Sequence, residues 1–397
     1  MIRVRQGAFR AVCAVLLLAA PTLAAPPSIT DLGAPGAPGA QAPQLVAGKA
    51  GPWLSWVEPA GATGKALRVA QWKDGSWTPP STVVVADDLM VNWADVPGVV
   101  ELPDGALLAH WLREQGLGYG AELRRSRDGG ATWQALGALS SDTGASEHGF
   151  VSHLPLASAP QSVWMDGRSG TTALYAATIT DRATAEKLLD DRVCDCCATA
   201  SAITADGAVV VYRERSQDEV RDVGIVRYAN GAWQKPALVH ADGWKINGCP
   251  VNGPAVAARG KTVVVAWFTA ANDRPRVLAA RSTDGGATFG APTTVDDATP
   301  FGRVSVQLAA SGDAVVGWVA RAANAAALRL RRIDAAGRMG AAATVAPLGG
   351  SHSAGVPRLL DLGDRYLLTW IESRSASGSK ESLLRVVAVA PAALAAP

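Results

Sequence analysis

Seven apolar runs, each built around a large aromatic residue, recur along the chain: WLSWVEP, ALLAHWLRE, SVWMDGR, VVVYRER, VVVAWFTA, VVGWVARA and LLTWIESR. Their marker residues are Trp56, Trp111, Trp164, Tyr212, Trp267, Trp318 and Trp370, at successive spacings of 55, 53, 48, 55, 51 and 52. Alternating or continuous apolar runs this short predict strands. A period of about 50 residues matches one four-stranded blade. The expected fold is all-β, a single β-propeller of seven blades. Six remains open if one unit lies outside the ring.

Within a unit the order is steady. PAVAAR predicts an inner strand A, KTVVVAWF strand B, RVLAARS strand C, and the run after the next turn strand D. The last unit has three strands, over Pro357–Leu362, Tyr366–Ile371 and Leu383–Ala390, and then ends. Residues near Ser28–Leu32 are expected to supply its fourth strand and close the ring. This topology puts A–B and C–D turns on one face, and B–C and D–A′ loops on the other, where propellers carry their pockets.

The ends of the chain change the picture. Arg3, Arg5 and Arg10 precede the apolar run Ala11–Ala20, and Thr22-Leu23-Ala24 offers small residues for cleavage. Residues 1–24 thus predict a cleaved signal peptide and an exported protein. Cys13 lies inside that run with no lipobox before it. Residues 25–43 form a Pro/Gly/Ala-rich lead-in that includes the closing strand, 44–391 the propeller, and 392–397 a tail. No later run is long enough to span a bilayer. A net charge of +2 without a basic patch excludes nucleic acid as the expected partner. A glycan or protein ligand and a monomeric state are expected instead.

Two turns carry a shared motif. RSRDGGATW (125–133) and RSTDGGATF (281–289) both read S-x-D-x-G-x-T-[WF] after a β-like run. The aspartate can bond the amides of its own turn, Gly-Gly supplies positive φ, and the aromatic packs beneath. The defining residues are Ser126, Asp128, Gly130 and Trp133, and Ser282, Asp284, Gly286 and Phe289. Degenerate forms stand at Asp74–Trp77 and Asn230–Trp233. The motif resembles the Asp box of sialidases and other BNR-repeat proteins. That resemblance implies a propeller, with the box shaping a turn and doing no chemistry.

A sialidase site also needs three arginines on the substrate carboxylate, a Tyr–Glu nucleophile pair and an acid/base aspartate. The first arginine normally lies in an Arg-Ile-Pro stretch, which is absent here. Among the tyrosines only Tyr119, near Glu122, reads as a B–C loop residue. The family's site therefore does not carry over. The chain more closely resembles uncharacterised exported propellers labelled exo-α-sialidase by fold, and fold does not establish activity.

Candidate chemistry lies on the D–A′ face. Four B strands end in a carboxylate two residues past the marker: Glu58, Asp166, Glu214 and Glu372. Arg168, Arg215 and Arg374 follow closely. Either repeated inter-blade salt bridges or a ligand-binding ring would result. Catalytic candidates are Asp166, Arg168, Glu147, His148, Glu214, Arg303 and Glu372. Trp93, Asp95, Asn252 and His352 are candidates for the ligand-binding face. The expected role is non-catalytic binding, the alternative an exo-acting glycoside hydrolase with an atypical site. Cys194, Cys196, Cys197 and Cys249 precede adjacent inner strands and are expected to meet. Two disulfides, a thiolate site for zinc or Cu(I), and a redox-active thiol pair all fit that pattern. No other cofactor is implied.

Overall fold

The computed structural model describes residues 29–322, 325–348, 355–376, 379–394 and 396. The expected leader, Cys13 and His352 lie outside them. The described chain folds into seven antiparallel sheets of four main strands, which in six of them run outward in sequence order. These are the seven blades of a β-propeller. Blade 5 shows the plain unit: Ala255–Arg259, Thr262–Thr269, Arg276–Ser282 and Thr293–Asp296 pair in order. In blade 7, Arg358–Asp361, Tyr366–Ala376 and Ser379–Val389 are joined by Ile29–Asp31 as the outer strand. Ile29 pairs with Val389 and Asp31 with Val387, so the N-terminal strand closes the ring as its sequence implied.

Seven apolar clusters fill the seven junctions between blades. Each marker aromatic is buried and packs towards the preceding blade; Trp318, for example, sits among Val264, Ala266 and Phe268 of blade 5. Its indole N–H cannot stay unpaired in such a place. Trp267 and Trp318 therefore donate to Asp242 and Asp296, and Tyr212 to Asp190, each at 2.6 Å. These carboxylates end or directly follow the outer strand of the preceding blade. Trp56 and Trp164 use the carboxylate two residues on, Glu58 and Asp166, at 2.8 Å.

The C–D turns of blades 2 and 5 are built as the motif predicts. Ser126 Oγ donates to Asp128 at 2.7 Å and accepts from the Gly130 amide at 2.8 Å. Asp128 also accepts from the Thr132 amide and hydroxyl. Blade 5 repeats this with Ser282, Asp284, Gly286 and Thr288. Gly286 has φ +83°, and a Cβ there would press on Ile225 and Val209 of the neighbouring blade at 3.1 Å. The degenerate turns at Asp74-Gly75 and Asn230-Gly231 have positive φ at both residues, as a two-residue hairpin loop requires.

Candidate functional site

The inner strands surround a central channel with a cavity of about 260 Å³. It opens among the D–A′ loops 94–96, 198–199 and 251–254. Its described titratable lining is Asp95, His110, His153, Arg303 and Arg358.

The mouth is shaped by irregular strand starts. Three inner strands, Gln41–Val46, His148–Leu154 and Pro300–Leu308, shift register near their first residues. Ala42, Phe150 and Arg303 there take left-handed φ of 50°, 52° and 53°. Such bulges bend a strand and re-aim its side chains. Val251, just before the inner strand of blade 5, has φ 46°, an outlier for a β-branched residue.

Two of these bulges share a clasp. Asn252 Oδ1, from the loop of the preceding blade, accepts from the Arg303 amide at 2.7 Å. A Cβ on Gly302 would stand 2.2 Å from that oxygen, so only glycine admits it. Asp95 occupies the matching place one bulge away. It faces the Phe150 amide and the Tyr119 hydroxyl, and a Cβ on Gly149 would lie 2.0 Å from its Oδ2. The loop 91–97 that carries it interrupts the inner edge of blade 2, between Leu89–Met90 and Gly98–Glu101. An amide side chain serves one clasp and a carboxyl the other. Burial raises Asp95 to about 7, and Oδ2 lacks a well-aligned donor. Asp95 is therefore the one clasp that can change charge near neutrality.

The arginines and histidines of the wall are set by the same geometry. Arg303 lies over the Trp93 ring, 4.4 Å from its centroid, and donates to the Gly355 carbonyl. Arg358 begins the inner strand of blade 7, with Nε lacking an acceptor. Burial lowers both guanidiniums to about 10, which leaves them charged at neutral pH. His110 Nδ1 lies 2.9 Å from His153 Nε2, and His153 Nδ1 lies 2.7 Å from Ser162 Oγ. His110 Nε2 faces the Val96 carbonyl, so that nitrogen carries the proton. A single neutral chain then runs from Ser162 through both rings to Val96. Burial lowers His110 to about 4 and His153 likewise well below its usual value.

The carboxylates at the B-strand ends stand elsewhere, and Glu58, Asp166 and Glu372 pair with arginines of their own blades. Asp166 accepts from Arg168, Trp164 and Ser140. His148, buried, stands 3.0 Å from Asp166 and 3.1 Å from Asp142. Arg168 also pairs with Glu186. Glu58 pairs with Arg68, and Glu372 with Arg374 and Arg385. The arginine partners are intra-blade, which corrects the inter-blade salt bridges expected from sequence. The reason is the strand crossing: the partner stands on the next strand of the same sheet or two residues on. Asp166, Arg168 and His148 form a closed structural knot outside the channel lining, and Glu372 is tied likewise. Glu214 is raised by burial beside Asp190 and Asp222, and its amide bonds the Asp222 carbonyl. Glu147 is exposed, and its backbone bridges to Tyr119. Tyr119 itself is a buried strand residue rather than a loop residue, and burial pushes its hydroxyl up. Of the sequence candidates, the structure brings Asp95, Asn252, Trp93 and Arg303 together.

Sequence reasoning missed Arg358, His110 and His153. His110 directly precedes the marker Trp111, and His153 and Arg358 stand in inner strands. Attention to polar residues inside apolar strands, rather than to loops alone, would have found them.

Beside the mouth, the loops before blades 4 and 5 bring the cysteines to one place. Cys194 Sγ lies 3.7 Å from Cys196 and 3.6 Å from Cys197. Cys249 Sγ is 3.9 Å from Asp195, and its sulfur, a carboxylate oxygen of Asp195 and Cys196 Sγ all lie within 4.8 Å of one another. All four are free thiols. Hydrogen bonds from Cys196 and Cys197, with the Arg221 charge, hold Cys194 far down, while burial pushes Cys197 up to about 12.

No protein-family model matches the chain. No curated protein matches it either. Solved structures do. A polysaccharide lyase of family PL25, an ulvan lyase bound to -[GlcA(1-4)Rha3S]-, is similar at TM-score 0.58 and 10% identity, over 89% of this chain and 94% of that one. A mutant α-L-arabinofuranosidase from Fusarium graminearum in complex with an iminosugar inhibitor follows at TM-score 0.52 and 16% identity, over 90% and 94%. The NanB sialidase from Streptococcus pneumoniae is similar at TM-score 0.46 and 12% identity, over 89% and 69%. At these identities the likeness is one of fold, that of a β-propeller.

Proposed function

We propose that this chain binds the end of an anionic saccharide in its central channel and does not cleave it as a glycosidase. The observation that carries this reading is the charge of the channel lining. Arg303 and Arg358 stand against a single carboxyl group, Asp95, which is half-neutral at pH 7. Neutral His110 and His153 add no charge, so a carboxylate or sulfate is the favoured guest. The ulvan lyase that shares this fold is bound to a saccharide of that anionic kind.

Glycoside hydrolysis in its usual forms needs two carboxyl groups flanking the bond, or a tyrosine nucleophile backed by a glutamate. The described channel lining has one carboxyl group, and Tyr119 is buried with its hydroxyl pushed up. One observation favours a second reading, proton transfer on a bound uronic acid: Asp95 titrates near neutrality beside the channel.

Calorimetry with uronic-acid-terminated oligosaccharides and neutral counterparts of equal length separates these. The expected result is binding of the acidic ligand that weakens with salt and falls at least tenfold in Arg358→Met. No product should accumulate over hours. Equal binding of the neutral ligand would overturn the proposal. Product formation lost in Asp95→Asn would replace it with the second reading.

A further inference from the structure

We infer that Cys194, Cys196 and Cys197, with Cys249 or Asp195 as the fourth ligand, form a thiolate site for a d10 metal ion, Zn(II) or Cu(I). Three sulfurs converge here, not two. A disulfide would use one pair and leave a third thiol pressed against it. In a tetrahedral site with metal–sulfur bonds near 2.3 Å, neighbouring sulfurs stand about 3.8 Å apart. The separations of 3.7 and 3.6 Å around Cys194 are close to that spacing. Both lie well beyond a sulfur–sulfur bond.

The surroundings suit deprotonated sulfur. Arg221 Nη1 donates to Cys194 Sγ at 3.0 Å, and the Asn252 amide donates to Cys197 Sγ at 3.3 Å. Such second-layer donors fix thiolate ligands and offset their charge. Arg215 stands 3.6 Å from Asp195. Three or four anionic ligands around one cation leave a net negative charge, and Arg221 and Arg215 face it. Cys194 and Cys197 are buried, whereas Cys196 is half-buried and Cys249 exposed. The site is therefore closed behind and open in front, where an ion can enter.

The position gives the ion a second effect. Asn252 bonds Cys197 through its amide and the Arg303 amide through its side chain. A metal that fixes Cys197 also fixes the clasp that aims Arg303 at the channel. This coupling is independent of which ligand the channel takes.

The test uses the full chain, reduced, stripped of metal and titrated with Zn(II) or Cu(I) against a chromophoric chelator. One equivalent is expected to bind, protecting at least three thiols from alkylation and raising Tm. Cys196→Ser, at a half-buried position that tolerates the change, should weaken binding at least 100-fold. Arg221→Gln should weaken it about 10- to 100-fold. Loss of affinity in Cys249→Ser but not Asp195→Asn marks a four-sulfur Zn(II) site. Loss in Asp195→Asn but not Cys249→Ser marks a site of three sulfurs and one carboxylate, and indifference to both overturns the assignment of a fourth ligand. Failure of the reduced wild-type chain to take up a stoichiometric ion of either kind, with Tm unmoved, overturns the inference. So does a Cys194–Cys197 disulfide in the native protein that, once reduced, gives thiols without metal affinity.

Discussion

Asp128 and Asp95 are the same residue on opposite faces of one ring, and their surroundings push them apart. Asp128 receives the Ser126 hydroxyl and both polar groups of Thr132, and the Thr132 hydroxyl leads in holding it down to about 2. Asp95 is enclosed with an oxygen lacking an aligned donor, and burial raises it to about 7. The first face spends its aspartates on turns. The second keeps one able to gain and lose a proton. An acid whose lone pairs are all answered is architecture, whereas one deprived of donors is available for chemistry.

The sharpest way to break this contrast is to insert one methyl group on each face. Gly302→Ala meets Asn252 at 2.2 Å and a φ of +85°, so it should cost about 3 kcal/mol or more. Gly129→Ala has φ +69° but open space, and should cost about 1 kcal/mol. Denaturant midpoints of the two variants give the comparison directly, and equal losses would erase it.

Between these extremes lies Asp95→Asn, which matches the clasp at Asn252. A raised folded pKa means that the unfolded state releases its proton first. Stability is then full below about pH 4 and declines until about pH 7. The substitution should therefore stabilise the protein by up to about 4 kcal/mol at pH 8 and change little at pH 4. A Tm difference independent of pH would show that Asp95 is not the titrating group. Ser282→Ala, which orphans the buried Gly286 amide, should cost about 1–2 kcal/mol and leave channel binding unaltered.

The smallest effect is expected in acid. Asp284 is depressed, chiefly by the Thr288 hydroxyl, so its contribution is present above the unfolded value and lost as pH falls below it. Asp284→Asn should lower stability modestly at pH 7 and flatten the profile below pH 4, the two proteins converging in strong acid.

The quieter face was the legible one. Seven aromatics at near-constant spacing sit at the blade junctions because a period of about 50 residues is the length of four short strands and their turns. The two S-x-D-x-G-x-T turns were readable because every bond is made within nine residues. The channel was not. Asp95 and the Phe150 amide are 55 positions apart, and His110 and His153 are 43 apart; nothing local marks either meeting. The Asp166 knot misled for a related reason. A carboxylate followed by an arginine reads as a site or a bridge between blades, and only strand register shows the two bonding each other. Arg358 stood in an apolar strand with no motif around it.

The closing strand also imposes an order in time. Ile29–Asp31 are synthesised more than 350 residues before their partners Val387–Val389. The Arg385–Asp31 ion pair and the bond from the Leu32 amide to Val386 wait equally long. Throughout synthesis the N-terminal strand is an unpaired ribbon, and the nascent ring has a gap. Once blade 7 is complete, the ring is held shut at the seam where residues 29–31 meet residues 387–389. A chain starting past Asp31 would keep every blade junction but leave Val387–Val389 as an open sheet edge, ready to recruit a strand from a second molecule.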